Sequence, residues 1–291
     1  FKFYYKCIYQ SKELMMTDNP LNKYFRKPAL YVSLPTKGKF NPEIDQTIIE
    51  EVGVMPMTAI DEITMRNPDA LLNGEALISL IESCVPSIKD ARKLCNIDAE
   101  ALYLAIQYAT NGKDVTYTHK CKECENQNEF NIDIDFVLNK FPEINEVEPV
   151  IYEDLTIHLR PPTLESVTRV ALIQLEEKRI IDNVKHTMED EKDELELAKR
   201  FYKSFKRVAE YNVDLISETI DHIETPDGNV SDKKQIIEFL ANVPTKVVTS
   251  MDNRVKTIAK KPESLNTFEF TCPECQSTEK VNIEINPANF S

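Results

Sequence analysis

Apolar and polar residues alternate with period two over some stretches of this chain and recur every three to four residues over others, and the changes of period mark its elements. Residues 31–40 read as a short extended segment with a turn at Pro35-Thr-Lys-Gly38, and Val52-Gly-Val-Met-Pro56 reads as a second extended piece. Thr58, followed at the third position by Asp61, predicts an N-cap that opens a helix to about Arg66. Asn67-Pro68 and Asn73-Gly74 punctuate two further starts, after which Leu77, Leu80, Ile81 and Cys84 recur at helical spacing as far as Pro86. Asp98 is expected to cap a third helix carrying Leu102, Ala105, Ile106 and Ala109, which Gly112 ends.

Beyond Phe141-Pro142 the texture changes. Residues 150–160 read as a small hairpin around Glu153-Asp154, halted by Pro161-Pro162. An amphipathic helix follows from 163 to about 183, with Leu164, Val167, Ala171 and Leu175 on one stripe. An acid-rich run at 189–196, read as a solvated helix start, leads into a second long helix carrying Leu195, Ala198, Phe201, Phe205, Val208 and Ala209. Residues 216–225 alternate like a strand and end at the turn Pro226-Asp-Gly228. Two helices are expected over 232–241 and 245–260, the latter with Val248, Met251, Val255 and Ile258 facing one way until Pro262 stops it.

Two segments far apart in the chain are near-copies. One reads Tyr117-Thr-His-Lys-Cys121-Lys-Glu-Cys124-Glu-Asn-Gln-Asn-Glu-Phe130-Asn-Ile-Asp-Ile134; the other reads Phe268-Glu-Phe-Thr-Cys272-Pro-Glu-Cys275-Gln-Ser-Thr-Glu-Lys-Val281-Asn-Ile-Glu-Ile285. With Cys272 set on Cys121, an aromatic meets an aromatic at the start, Glu274 meets Glu123, and the closing four residues nearly repeat. Each copy reads as strand, thiol-bearing turn, strand. One such knuckle supplies two thiolates, whereas a structural zinc ion takes four ligands in a tetrahedron. The expectation is therefore that the two hairpins meet and that Cys121, Cys124, Cys272 and Cys275 close a single Zn2+ site. A redox dithiol is the main competitor, but that motif lies between a strand and a helix; disulfides within or between the knuckles are the other alternative. Knuckles often carry glycine just after the second cysteine, where a left-handed turn is needed; Glu125 and Gln276 stand there instead, which predicts a strained backbone or weaker zinc binding. His119 is open to a ligand or supporting role, although Phe270 at the matching place favours an ordinary strand residue.

Composition narrows the function. The 291 residues carry a net charge of −14, with 42% apolar and 29% charged residues, which is globular and argues against general affinity for nucleic acid or anionic membrane. No stretch has the length of apolar sequence that a membrane span needs. Residues 1–15 carry no secretory signal and read as a floppy arm or a mis-assigned start, with Met15-Met16 as alternative beginnings. Of seven cysteines, Cys84 and Cys95 read as buried hydrophobes and Cys7 has no evident mate, a usage that fits a reducing cytoplasm. The five glycines are too dispersed for a phosphate loop, and the four histidines stand apart, so no catalytic set assembles and the chain reads as a non-enzyme.

The fold class expected is α+β, mainly helical, with a split zinc ribbon of two Cys-x-x-Cys hairpins joining two helical lobes. The domains read as an arm at 1–30, an N-terminal α+β lobe at 31–113, the first knuckle at 114–134, a long-helix lobe at 135–264 inserted between the knuckles, and the second knuckle at 265–291. Closing so long an insertion costs entropy that grows only slowly with its length.

Leu34-Pro-Thr-Lys-Gly38, Met55-Pro-Met-Thr-Ala-Ile-Asp-Glu62 and Asp69-Ala-Leu-Leu-Asn-Gly-Glu75 run in order towards Cys84-Val85. Asp98 with Leu102 and Ile106, then Gly112 and the Cys121/Cys124 knuckle, continue the series. This order resembles the baseplate hub subunit family of T4-like contractile-tailed bacteriophages, most closely over residues 31–134 and more loosely beyond 150. The resemblance implies a non-enzymatic tail protein, a built-in component or an assembly factor of the central hub. Its place would be the virion baseplate, after assembly in the host bacterial cytoplasm. Its implied partners are other hub and tail proteins, the end of the tape-measure protein being one candidate to lie along the amphipathic helices; the plainer reading of those apolar stripes is the protein's own core. The rival function is a zinc-ribbon nucleic-acid-binding or transcription accessory protein. It is opposed by knuckles that set Lys120, Lys122 and Lys280 against Glu123, Glu125, Glu129, Glu274 and Glu279. A metal-dependent hydrolase is the third reading, and an all-cysteine tetrahedron leaves it no open position for water.

Overall fold

The first two extended pieces pair: β1 (Leu30–Val32) runs antiparallel to β2 (Val52–Val54), with Leu30 opposite Val54. The structure, a computed structural model, describes residues 19–41, 51–187, 213–259 and 267–282, together with Tyr202 and Lys206. Thr58 opens α1 (Ala59–Met65) through a full capping box: the Thr58 hydroxyl accepts from the Asp61 N–H, and the Asp61 carboxylate accepts from the Thr58 N–H at 2.8 Å. Two helices follow, α2 (Pro68–Leu72) and α3 (Glu75–Cys84). Gly74 begins α3 at φ 72°, and a Cβ there would sit 2.6 Å from the Thr168 side chain, so glycine lets a later helix pack close.

Helix α4 (Asn96–Asn111) is buried on nearly every face, as a helix in the middle of a protein must be. Leu102, Tyr103, Ala105 and Ile106 join the core built by β1, β2 and α1 to α3. Leu104, with half-buried Tyr108, turns to the thiol hairpins, while Ile97 packs with Cys95, Ile144 and Ile258.

Asp98 is not the cap of this helix. The helix begins at Asn96 after an extended Cys95, and Asp98 lies in the first turn, fully buried. Its carboxylate accepts from the Thr36 N–H at 2.9 Å, the Thr36 hydroxyl at 2.5 Å and the Asn41 amide at 2.5 Å. Burial pushes this carboxyl above the usual range, against the pull of those three donors. A capping bond is local, and here long-range donors from the Pro35–Gly38 turn and its flank take the side chain instead.

β3 (Asp114–Lys120) and β4 (Gln127–Asp133) form the first hairpin. Its second strand stops short of Ile134, because Asp133 caps α5 (Ile134–Leu138) by accepting from the Phe136 N–H at 3.2 Å. Next come β5 (Val150–Tyr152), β6 (Leu155–Leu159) and α6 (Leu164–Thr187). The chain returns through a helical stretch at 213–219 into β7 (Ile220–Thr225) and β8 (Gly228–Val230), completing a four-stranded antiparallel sheet ordered β5-β6-β7-β8. The strand expected from Ile216 thus begins only at Ile220. The Ser217 hydroxyl donates to the Asp214 carbonyl at 2.6 Å and the Thr219 hydroxyl to that of Ile216 at 2.8 Å, holding the last helical turn. On α6 the buried positions include Leu164, Ser166 and Ile173, whereas Ala171 of the expected stripe is exposed.

Ile157, Leu159, Ile220 and Ile223 on the inner sheet face pack against α7 (Lys233–Asn242) and α8 (Thr245–Ala259), which bury Ile236, Leu240, Val247 and Met251. The second hairpin, β9 (Thr267–Thr271) with β10 (Thr278–Asn282), ends the described chain. The arm at 1–15 with Cys7, the acid-rich run at 189–196 and the stop at Pro262 lie outside the described residues. So does the second long helix, except that Tyr202 and Lys206 are helical and exposed. No helix among the described residues is long and apolar enough to cross a membrane.

Glu218 ties three elements together. Its carboxylate meets Arg169 of α6 at 2.5 Å and Lys233 of α7 at 3.0 Å, and its carbonyl accepts from Arg160 at 2.8 Å. Burial alone would raise this carboxyl, and the two cations overcome it and hold it below the usual range. A carboxyl depressed in the folded state contributes stability above its unfolded value, about 4.3, and loses it as pH falls through the folded value. Thermal melts from pH 7 down to 3 are expected to show a decline below about pH 4.3 that is shallower in Glu218→Gln.

Candidate metal centre

The two hairpins are built alike, residue for residue. In the first, His119 pairs with Asn128 and Lys120 with Gln127; in the second, Phe270 pairs with Glu279 and Thr271 with Thr278, the same register. In each turn the first cysteine N–H donates across the loop at 2.9 Å, Cys121 to the Asn126 carbonyl and Cys272 to that of Ser277. Each first-cysteine carbonyl also accepts from the residue after the second cysteine: Glu125 at 3.0 Å and Gln276 at 2.9 Å. That geometry requires a left-handed residue, and Glu125 and Gln276 have φ of 59° and 61°. The strain expected from the missing glycines is therefore present. Replacing Glu125 or Gln276 by glycine is expected to raise stability by up to about 1 kcal/mol each, read as an upward shift of the thermal midpoint.

The four thiols come together. The Sγ atoms of Cys121, Cys124, Cys272 and Cys275 all lie within 4.8 Å of one another. Cys121 faces Cys275 at 3.7 Å and Cys124 faces Cys272 at 3.6 Å, so the first cysteine of each knuckle meets the second of the other and the pair is related by an approximate twofold. These separations far exceed a disulfide bond of about 2.05 Å, and the six cysteines among the described residues are all free. They match the edge, about 3.8 Å, of a tetrahedron with zinc–sulfur bonds of about 2.3 Å. Cys121 and Cys272 are buried, while Cys124 and Cys275 stand at the rim.

Other groups steady the cluster. Ser277 Oγ lies 3.4 Å from Cys121 Sγ and 3.2 Å from Cys275 Sγ, and the Asn128 amide donates to Cys272 Sγ at 3.6 Å. The Ser277 hydroxyl and the Cys124 and Glu123 N–H groups draw the Cys121 thiol down to about 6. For Cys124 the Asn126 N–H favours the thiolate, but burial and the thiols of Cys272, Cys275 and Cys121 override it and push the group up to about 12. Backbone N–H groups of Cys275 and Glu274 lower Cys272. Sulfurs this close cannot all ionise unaided, and a divalent cation among them would let them.

The hairpins also grip each other beyond the sulfurs. His119 Nε2 lies 3.0 Å from Glu279 Oε1, and the Lys122 N–H donates to the same carboxylate at 3.4 Å. His119 draws Glu279 below the usual carboxylate range. Phe270 packs at 5.3 Å against Phe130, its ring tilted by 36°, and edge-on at 5.6 Å to His119. Sequence reasoning found the thiols but not Asn128 and Ser277 beside them, nor Glu279 as a tie between the hairpins. The only available signal was the matched register, which sets Glu279 where the other knuckle has Asn128.

Fold and cluster together define a class: an α+β protein whose distant segments are clasped by a pair of interlocked thiol knuckles. The chain belongs to the family described as T4 bacteriophage base plate protein, whose model matches residues 34–290. Membership places it in the base plate of the phage tail, in the company of other tail proteins. No curated protein and no solved structure matches the chain.

Proposed function

We propose that the chain is a non-enzymatic structural subunit or assembly factor of the central hub of the baseplate, held rigid by one structural zinc ion on Cys121, Cys124, Cys272 and Cys275. The observation that carries this reading is the convergence of four sulfurs within 4.8 Å from knuckles at opposite ends of a long insertion. Four cysteine ligands make a closed site, which stabilises a fold and leaves no position for a reacting water. With zinc bound the knuckles form a split ribbon joining the mainly helical lobes at 31–113 and 135–264. A structural zinc supplies about 10–16 kcal/mol in small domains, ample to close that insertion. Its partners are other hub and tail proteins, with the tape-measure protein as one candidate.

Mass spectrometry of purified virions beside an infected-cell lysate tests the role. Recovery in virions identifies a subunit, and recovery only in lysate, bound to hub proteins, identifies an assembly factor. Absence from both virions and hub complexes contradicts the reading.

A further inference from the structure

The histidines that stand apart in the sequence do not all stand apart in the fold. His158 on β6 and His222 on β7 are directly opposed in the register, and their rings stack at 4.3 Å with an interplanar angle of 13°. They occupy the sheet face opposite the one that Ile157, Leu159 and Ile223 bury under α7 and α8. Glu224, two residues along β7, joins them: its Oε1 is 3.2 Å from His158 Nε2 and 3.8 Å from His222 Nε2. The three donor atoms lie within 4.8 Å of one another.

We infer that His158, His222 and Glu224 form a second metal site, for a divalent transition ion such as Zn2+, Ni2+ or Cu2+, on the outer face of the four-stranded sheet. The chemistry of the set is right: two neutral imidazoles and one carboxylate suit these ions, and three protein ligands leave a coordination position open for water or a neighbour's side chain. The His222 ring is already oriented for the task. Its Nδ1 lies 2.7 Å from Asp221 Oδ2, which fixes the tautomer with the Nε2 lone pair turned towards Glu224, as carboxylates do behind metal-binding histidines. His158 supplies the second sign. Its Nε2 is shielded from solvent and makes no hydrogen bond, the Glu224 oxygen lying close but out of line. A cation shared with that carboxylate would satisfy a buried nitrogen left in this condition. The three side chains are 32%, 25% and 50% exposed, so the small ring rotations that bring both nitrogens onto one ion meet little resistance.

The test is calorimetric titration of the full chain with Zn2+. One equivalent of micromolar affinity is expected to disappear in His158→Ala and in His222→Ala and to weaken at least tenfold in Glu224→Gln, whose carboxylate is exposed and whose fold should be untouched. Because only the equivalent that these substitutions remove is counted, the result stands whether or not the thiols carry metal. Wild-type chain showing no such equivalent, or a micromolar equivalent that survives all three substitutions, overturns the proposal.

Discussion

Replacing Cys272 by serine should abolish tight zinc binding and release the second hairpin from the first. Cys272 is buried, faces Cys124 at 3.6 Å and receives the Asn128 amide, so its sulfur lies at the centre of the clasp. Of the about 10–16 kcal/mol that a closed zinc site supplies in small domains, loss of one thiolate is expected to remove at least about 3 kcal/mol. That corresponds to a fall of about 6 °C or more in the thermal midpoint. The damage should be directional: Phe270 leaves Phe130 and His119, and Val281 leaves the cluster that rests on Leu104. Limited proteolysis ought then to cut near the second knuckle first. Chelation of the wild type should produce the same cleavage pattern, whereas substitution of Cys84, a buried cysteine outside the cluster, should leave zinc content unchanged.

The second large effect is expected at Asp98. Alanine there would leave the Thr36 N–H and hydroxyl without their acceptor and the Asn41 amide with only the Thr36 hydroxyl oxygen, 3.2 Å away, and both Thr36 and Asn41 are buried. Unmet buried donors cost about 1–3 kcal/mol each, so a loss of about 3–5 kcal/mol is expected, large for one substitution. Asparagine keeps one acceptor oxygen but turns an N–H2 towards donors, and its loss should be intermediate. Denaturant unfolding of the three proteins checks the order. Zinc content should stay at the wild-type value in the folded variants, because Asp98 lies outside the thiol cluster. That independence separates the two predictions.

What was legible in the sequence was local or repeated. The capping box of Thr58 and Asp61 spans four residues and needs nothing from the rest of the chain, and the structure keeps it. The knuckles were readable because the chain states them twice with the same alternation about each thiol pair. Asp98 shows where local reasoning fails: its position suits a cap, yet partners at Thr36 and Asn41, remote in sequence, decide its role. Residues 216–219 alternate as a strand would, but the Ser217 and Thr219 hydroxyls close the end of a helix instead. The facing of His158 and His222 depends on how β6 and β7 register across an insertion, which no pattern within either strand records.

The metal content of native protein is the decisive measurement. Full-length chain purified without chelator, then dialysed against a weak one to strip loosely held ions, should retain one zinc per molecule by elemental analysis. Titration with a thiol-specific mercurial should release that zinc as Cys121, Cys124, Cys272 and Cys275 react. Folded, metal-free protein with those four thiols freely reactive from the outset would contradict it.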